Sequence, residues 1–184
     1  MKFKLTATTK VFLGRRLYQI EAVASFGPIN CGDLGGWVEK AENISQDGDA
    51  WVSGDARVFG DAEVSGNARV FGDAWVSGDA WVFGNARVSG DAEVSGDAEV
   101  FGDAEVFGDA RVFGDAEVLW FSKVGSENGT LTAAKSKSGI WVSRGCFSGS
   151  IDEFEAAVAE THKGTAIETE YNLLISFIKM RIGK

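Results

Sequence analysis

The sequence predicts a parallel β-solenoid, and three observations carry that prediction. From residue 48 the chain spells a six-residue word, Gly-(Asp/Asn)-Ala-x-Val-(Ser/Phe/Leu), twelve times without a break to residue 119. Valine therefore recurs at every sixth position from Val52 to Val118, with an alanine two residues before each. Glycine accounts for 24 of 184 residues while proline occurs once, which fits a structured, glycine-punctuated chain and neither a disordered linker nor a collagen. A helix cannot carry the word. A period of six on a turn of about 3.6 residues scatters the valines around the axis, and a glycine in every word weakens the helix throughout.

Residues 1–47 open the chain with Phe3, Leu5, Val11, Leu13, Tyr18 and Ile20 in extended alternation, and are expected to fold over the first coil as an N-terminal cap with Trp37 as its lid. Residues 48–119 are the solenoid. In each word Ala, x, Val and the last position make a short extended segment, so Ala and Val share one face while x and the last position share the other. Gly tolerates positive φ and Asp or Asn bonds to local backbone, so the two residues between segments make a corner. One such segment cannot bury its own face. Coils stacked at about 4.8 Å bury it jointly and pair their backbones above and below. Residues 120–184 read as a small α+β module. Segments 130–135 and 140–147 flank a Lys-Ser-Lys-Ser-Gly turn as a β-hairpin. Ser150, three residues before Glu153, opens a helix carrying Ile151, Phe154, Ala157 and Val158, and a second helix carries Tyr171, Leu174, Ile175, Ile178 and Ile182.

The repeated word resembles that of the hexapeptide-repeat left-handed β-helix proteins, where three words, about 18 residues, make one triangular coil. The stretch Gly32-Asp33-Leu34-Gly35-Gly36-Trp37-Val38-Glu39, with Asn43-Ile44-Ser45 after it, resembles the opening of a narrower set, the YdcK-like group and its phage and prophage relatives. The run 125–162, with Arg144-Gly145-Cys146-Phe147 and the closing Glu160-Thr161-His162, resembles a tail of phage-encoded members. These resemblances imply the left hand, the triangular section, four coils, a phage or prophage source and a bacterial cytoplasmic location. The group's transferase label rests on fold similarity and brings no activity with it.

If Val and Ala fill the interior, Phe59, Phe71, Phe83, Phe101, Phe107, Phe113 and Leu119 point outward beside Trp51, Trp75 and Trp81. So much apolar surface needs cover. Trp81, Phe83, Phe101, Phe107, Phe113 and Leu119 are therefore expected at an interface. The first expectation is self-association, as a trimer by analogy with trimeric relatives or as a dimer. A partner protein or the chain's own C-terminal segment are the other covers.

The corners form ladders: Asp55, Asp73, Asp91 and Asp109 on one edge, Asp61, Asp79, Asp97 and Asp115 on a second, and Asp49, Asn67, Asn85 and Asp103 on the third. Carboxylates at coil spacing suit calcium, yet corners select Asp and Asn for local reasons, and no metal is expected. Residues 48–119 hold ten Asp and five Glu against four Arg, a charge of -11 in a chain of net -9, so the flanks carry +2. An acidic rod is a poor direct ligand for a nucleic-acid backbone; a solvated face is its plainest reading, and a dock for a host protein with a basic surface is the functional one.

Catalytic chemistry finds little support. The single histidine, His162, lies outside the repeat, which excludes a three-histidine zinc site and leaves an acyltransferase without its usual base. Cys146 and His162 are the candidates for a nucleophile and base, although a semi-buried cysteine and a helix-end histidine explain them equally. Cys31 and Cys146 form no CxxC pair, which fits a reducing compartment, and no stretch approaches the roughly 20 apolar residues of a membrane span. The expected protein is a non-catalytic, cofactor-free oligomer that inhibits or decoys a host protein, of the nucleic-acid-handling defence kind. Its rivals are an acyl- or glycosyl-transfer enzyme with an inter-subunit site and an architectural spacer.

Overall fold

The structure, a computed structural model, describes residues 1–108, 110–113, 118–136 and 139–183. Of the corner ladders, Asp109 and Asp115 lie outside the described residues. The chain opens with β1 (Phe3–Phe12), β2 (Arg15–Ala22) and β3 (Leu34–Val38). Short strands follow, one per word: β4 (Trp51–Val52), β5 (Arg57–Val58), β6 (Glu63–Val64), β7 (Arg69–Val70), β8 (Trp75–Val76), β9 (Trp81–Val82), β10 (Arg87–Val88), β11 (Glu93–Ser95), β12 (Glu99–Val100), β13 (Glu105–Val106) and β14 (Arg111–Phe113). The C-terminal module holds β15 (Val118–Val124), β16 (Gly129–Ser136), β17 (Gly139–Arg144), β18 (Phe147–Ser150), α1 (Ile151–Thr161) and α2 (Ala166–Ile182).

The short strands sort into three parallel sheets, the walls of a mainly β, three-sided solenoid. Arg57 pairs with Trp75, eighteen residues on, so three words make one coil. Along the stack the N–H groups of x and of the last position, and at most corners that of Asp or Asn, donate to the coil above, as Asp49 does to Gly66 at 2.8 Å, Trp51 to Ala68 at 3.0 Å and Ser53 to Val70 at 2.9 Å. Inside, the alanines and valines from Ala50 to Val112 are at most 2% exposed and form one continuous core. Full burial of each valine contributes roughly 1.5–3 kcal/mol, a driving force summed along the whole stack. The corner glycines make the stacking possible. Gly72, at φ +75°, carries its α-carbon so close to the next coil that an added Cβ would stand 3.0 Å from the Gly90 nitrogen.

Both ends of the stack are closed by side chains that imitate a missing coil. At the N-terminal end the buried Asn43 amide donates to the carbonyls of Gly60, at 3.1 Å, and Ala62, at 2.8 Å. At the other end the Glu105 N–H donates to Thr132 Oγ1 at 2.9 Å, and its carbonyl accepts from Ser143 Oγ at 2.8 Å. Solenoid pairing starts earlier than the repeat does, because β3 pairs in parallel with β5, and Ile44 bridges Val64. Trp37 therefore stands in a wall, level with Arg57, rather than over the end of the coil.

The terminal segments differ in detail from the sequence expectation. β1 and β2 form an antiparallel hairpin on the edge of β3, but its tip turns back along the outside of one wall, where Phe12 packs on Phe59 and Trp75 at 5.8 and 5.2 Å. Val11 and Leu13, at that tip, are exposed. The expected C-terminal hairpin is the centre of a four-stranded antiparallel sheet, β15-β16-β17-β18. β16 is buried on both faces, with Leu131 and Ala133 toward the helices and Ala134 toward the solenoid. α1 starts at the expected capping box, the Ser150 hydroxyl accepting from the Glu153 N–H while the Glu153 carboxylate accepts from the Ser150 N–H. Among the described residues no helix is long and apolar enough to cross a membrane.

Candidate interaction surfaces

The outward positions give each wall its own character. The wall of β5, β8, β11 and β14 is the hairpin wall. Phe59 there is only 6% exposed, boxed in by Phe12 and by Trp75 at 5.9 Å, and the Arg57 guanidinium lies 4.5 Å over the Phe12 ring. Lys10 sits 4.2 Å over Trp37 and bonds to Asp55 at 3.2 Å, while Trp37 Nε1 donates to the same carboxylate. The Lys10 hydrogen bond holds Asp55 below the ordinary carboxylate range, and burial pulls Lys10 below the ordinary lysine value.

The wall of β4, β7, β10 and β13 is the arginine wall. Its first outward column reads Trp51, Arg69, Arg87, Glu105 in strict register. Trp51 is covered by Phe3 and Phe26, at 6.4 and 5.4 Å. At the other end Phe107 packs against Trp141 at 6.2 Å. Between these covers lies a groove of about 390 Å³ bordered by Phe71, Arg87, Ser89 and Phe107, continuous through Phe71 and Arg87 with a hollow of about 290 Å³ beside Arg69.

The wall of β6, β9 and β12 is the bare wall. Glu63, Trp81 and Glu99 form its first outward column. In the second column Phe83 and Phe101 stack at 5.4 Å with an interplanar angle of 13°. Trp81 beside them is 52% exposed. Among the described residues, no ring from a terminal segment packs on these three.

The six residues expected at one interface thus have four different surroundings. Trp81, Phe83 and Phe101 come together on the bare wall. Phe107 stands on the arginine wall and Phe113 on the hairpin wall. Leu119 belongs to β15, paired with Ala133, and packs toward the helix core. Part of the apolar surface expected to need a second molecule is covered by the chain's own ends.

The acidic corners are also unequal. Asp55 is held by Lys10, Asp61 pairs with Lys40, and Asp73 has Arg57 at 3.9 Å. Asp79, Asp91 and Asp97 are exposed and have no ion pair among the described residues. On the third edge Asn67 donates to Asn85 at 3.1 Å, and Asn85 donates to Asp103 at 3.0 Å, a side-chain ladder that follows the coils. Among the described residues no group of three or more His, Cys, Asp or Glu side chains is placed to hold a metal ion. Cys146 is exposed, not semi-buried, in the tight turn from β17 to β18. His162 caps α1, with its ring 5.7 Å from that of Tyr171. Among the described residues no hydrogen bond joins the two.

Sequence reasoning missed two sets of residues. The end-closing Asn43, Thr132 and Ser143 carry no periodic signal. Arg69 and Arg87 do carry one, since they occupy the same place in words eighteen residues apart.

Fold and walls together define a β-solenoid repeat protein. Residues 62–78, which run from the bare wall through the arginine wall to the hairpin wall, match the family model of the YdcK β-solenoid repeat. No curated protein matches the chain.

Proposed function

We propose that this protein acts by binding rather than by turnover, as a self-associating solenoid that presents acidic corners to a basic partner. The observation that carries the reading is the bare wall, where Trp81 stands half exposed beside the Phe83–Phe101 stack. An apolar patch of this kind on a repeat rod marks a contact surface. The acidity of the repeat, and Asp79, Asp91 and Asp97 without an ion pair among the described residues, support a partner with a basic face. The likeness of run 125–162 to tails of phage-encoded proteins supports a phage or prophage source, and with it a host protein as the one inhibited or decoyed.

The wild-type chain is expected to sediment well above its single-chain mass of 19.6 kDa, and Trp81→Glu to sediment at that mass with an unchanged circular dichroism spectrum. A wild-type particle of single-chain mass sinks the self-association reading. The acidic-face reading has its own check: Asp79→Lys with Asp97→Lys is expected to abolish any stoichiometric complex with a basic host protein, and a complex indifferent to both the charge reversal and added salt removes it.

A further inference from the structure

The bare wall and the arginine wall complement each other residue by residue. Among the described residues the charged side chains of the bare wall itself, Glu63 and Glu99, are acids without an ion pair, as are Asp79 and Asp97 at its edge. On the arginine wall Arg69 and Arg87 lie in register on consecutive coils. Arg69 has no ion pair among the described residues, and Arg87 has only a 3.7 Å approach from Glu105. Phe71 beside them is 40% exposed.

We infer that the groove of the arginine wall is the docking site for the bare wall of a second copy of this chain, coil beside equivalent coil. This deepens the self-association reading and rests on it. Two copies with parallel axes wind in the same sense, so the walls that face each other run in opposite directions. The last position of a bare-wall word then meets the x position of an arginine-wall word. On one coil Phe83 faces Arg69 of the second copy and Trp81 faces its Phe71. On the next, Phe101 faces its Arg87 and Glu99 its Ser89. Each meeting is favourable: guanidinium on phenyl ring, ring on ring, and carboxylate accepting from hydroxyl. In the same register the bare wall against itself sets Glu99 on Phe101 and Trp81 on Phe83 and brings no cation to either ring of the Phe83–Phe101 stack, whereas the arginine wall supplies Arg69 and Arg87, which selects the unlike pairing. The corner shared by the two walls adds a separate observation. Copies packed this way bring that corner of each together, and it carries Asn67 and Asn85 where the other two ladders carry aspartate at every coil.

The contact is heterologous, two different patches rather than one patch twice, and mixing separates the cases. One full-length variant carries Arg69→Glu with Arg87→Glu, the other Phe83→Lys with Phe101→Lys. Each alone is expected at the single-chain mass by sedimentation equilibrium, with a wild-type circular dichroism spectrum. Mixed one to one, they are expected to assemble, because each supplies the wall the other lacks. An arginine variant that keeps the wild-type assembly, or two folded variants that stay apart on mixing, overturns the docking while self-association stands. A wild-type particle of single-chain mass overturns the self-association reading itself. If the glutamates disturb the coil, Arg69→Ser with Arg87→Ser is the substitute, expected to weaken association about tenfold through loss of the cation-ring contacts. Unchanged association in that pair also overturns the docking.

Discussion

Asn43→Asp is expected to destabilise the protein by about 3–5 kcal/mol at neutral pH, the cost of a buried charge without a partner. The side chain is fully buried, and its four hydrogen bonds divide by chemistry. Oδ1 accepts from the N–H groups of Glu39, at 3.2 Å, and Lys40, at 3.0 Å, and an aspartate keeps both bonds. Nδ2 donates to the carbonyls of Gly60 and Ala62, so an aspartate sets a carboxylate oxygen against two carbonyl oxygens. Repulsion and burial both disfavour the charged form, which raises the folded-state pKa of residue 43 above its unfolded value near 3.9. The folded state then binds the extra proton, and stability falls as pH rises from that unfolded value. Below about pH 4 the protonated acid can donate to one carbonyl again, and most of the loss should disappear. Urea unfolding of wild type and variant at pH 4 and pH 7 measures both parts. A difference under about 1 kcal/mol at pH 7, or one that ignores pH, shows that Asn43 does not close the stack.

Asn43 also marks where the sequence stops being readable. The solenoid interior was legible because one rule, alternation within a six-residue word, places every valine and alanine, and Ala50 to Val112 all obey it. The capping box at Ser150 was legible because it is local. The outward phenylalanines share a place in the word, and so looked equivalent, yet their surroundings are set by residues far along the chain. Phe59 is covered by Phe12, and Phe107 by Trp141, because the hairpin tip and the C-terminal sheet fold back on different walls. Among the described residues Phe83 and Phe101 stack on each other, and no ring of the hairpin or of the C-terminal module pairs with them. The ends of the stack pose the same difficulty. Thr132 and Ser143 look like ordinary strand residues until Glu105, at the last described turn of its wall, needs one donor and one acceptor. Long-range pairing decides these fates, and no period encodes it. The arginine pair was within reach of the same arithmetic that found the valines, since the coil length turns two scattered arginines into neighbours.

Gly78→Ala is expected to cost about 3 kcal/mol or more, and Gly164→Ala only about 1–2 kcal/mol, although both residues have nearly the same φ. Gly78 has φ +72° and Gly164 φ +75°, so a methyl group at either position carries the same left-handed penalty of roughly 1–2 kcal/mol. Their surroundings separate them. A Cβ on Gly164 meets nothing within 4 Å, whereas one on Gly78 lies 2.8 Å from the Gly96 nitrogen and 3.1 Å from its α-carbon. The neighbour is backbone, and it is anchored, because the Gly96 carbonyl accepts from the Asp79 N–H at 3.0 Å. Relief therefore requires the coils to separate at that corner, lengthening hydrogen bonds on the two walls that meet there. The excess of Gly78→Ala over Gly164→Ala, read from urea unfolding, isolates the tightness of coil stacking from the torsional penalty common to both. Equal losses would mean that the corners have slack, and that glycine stands in every word for its backbone freedom alone and not for the close approach of one coil to the next.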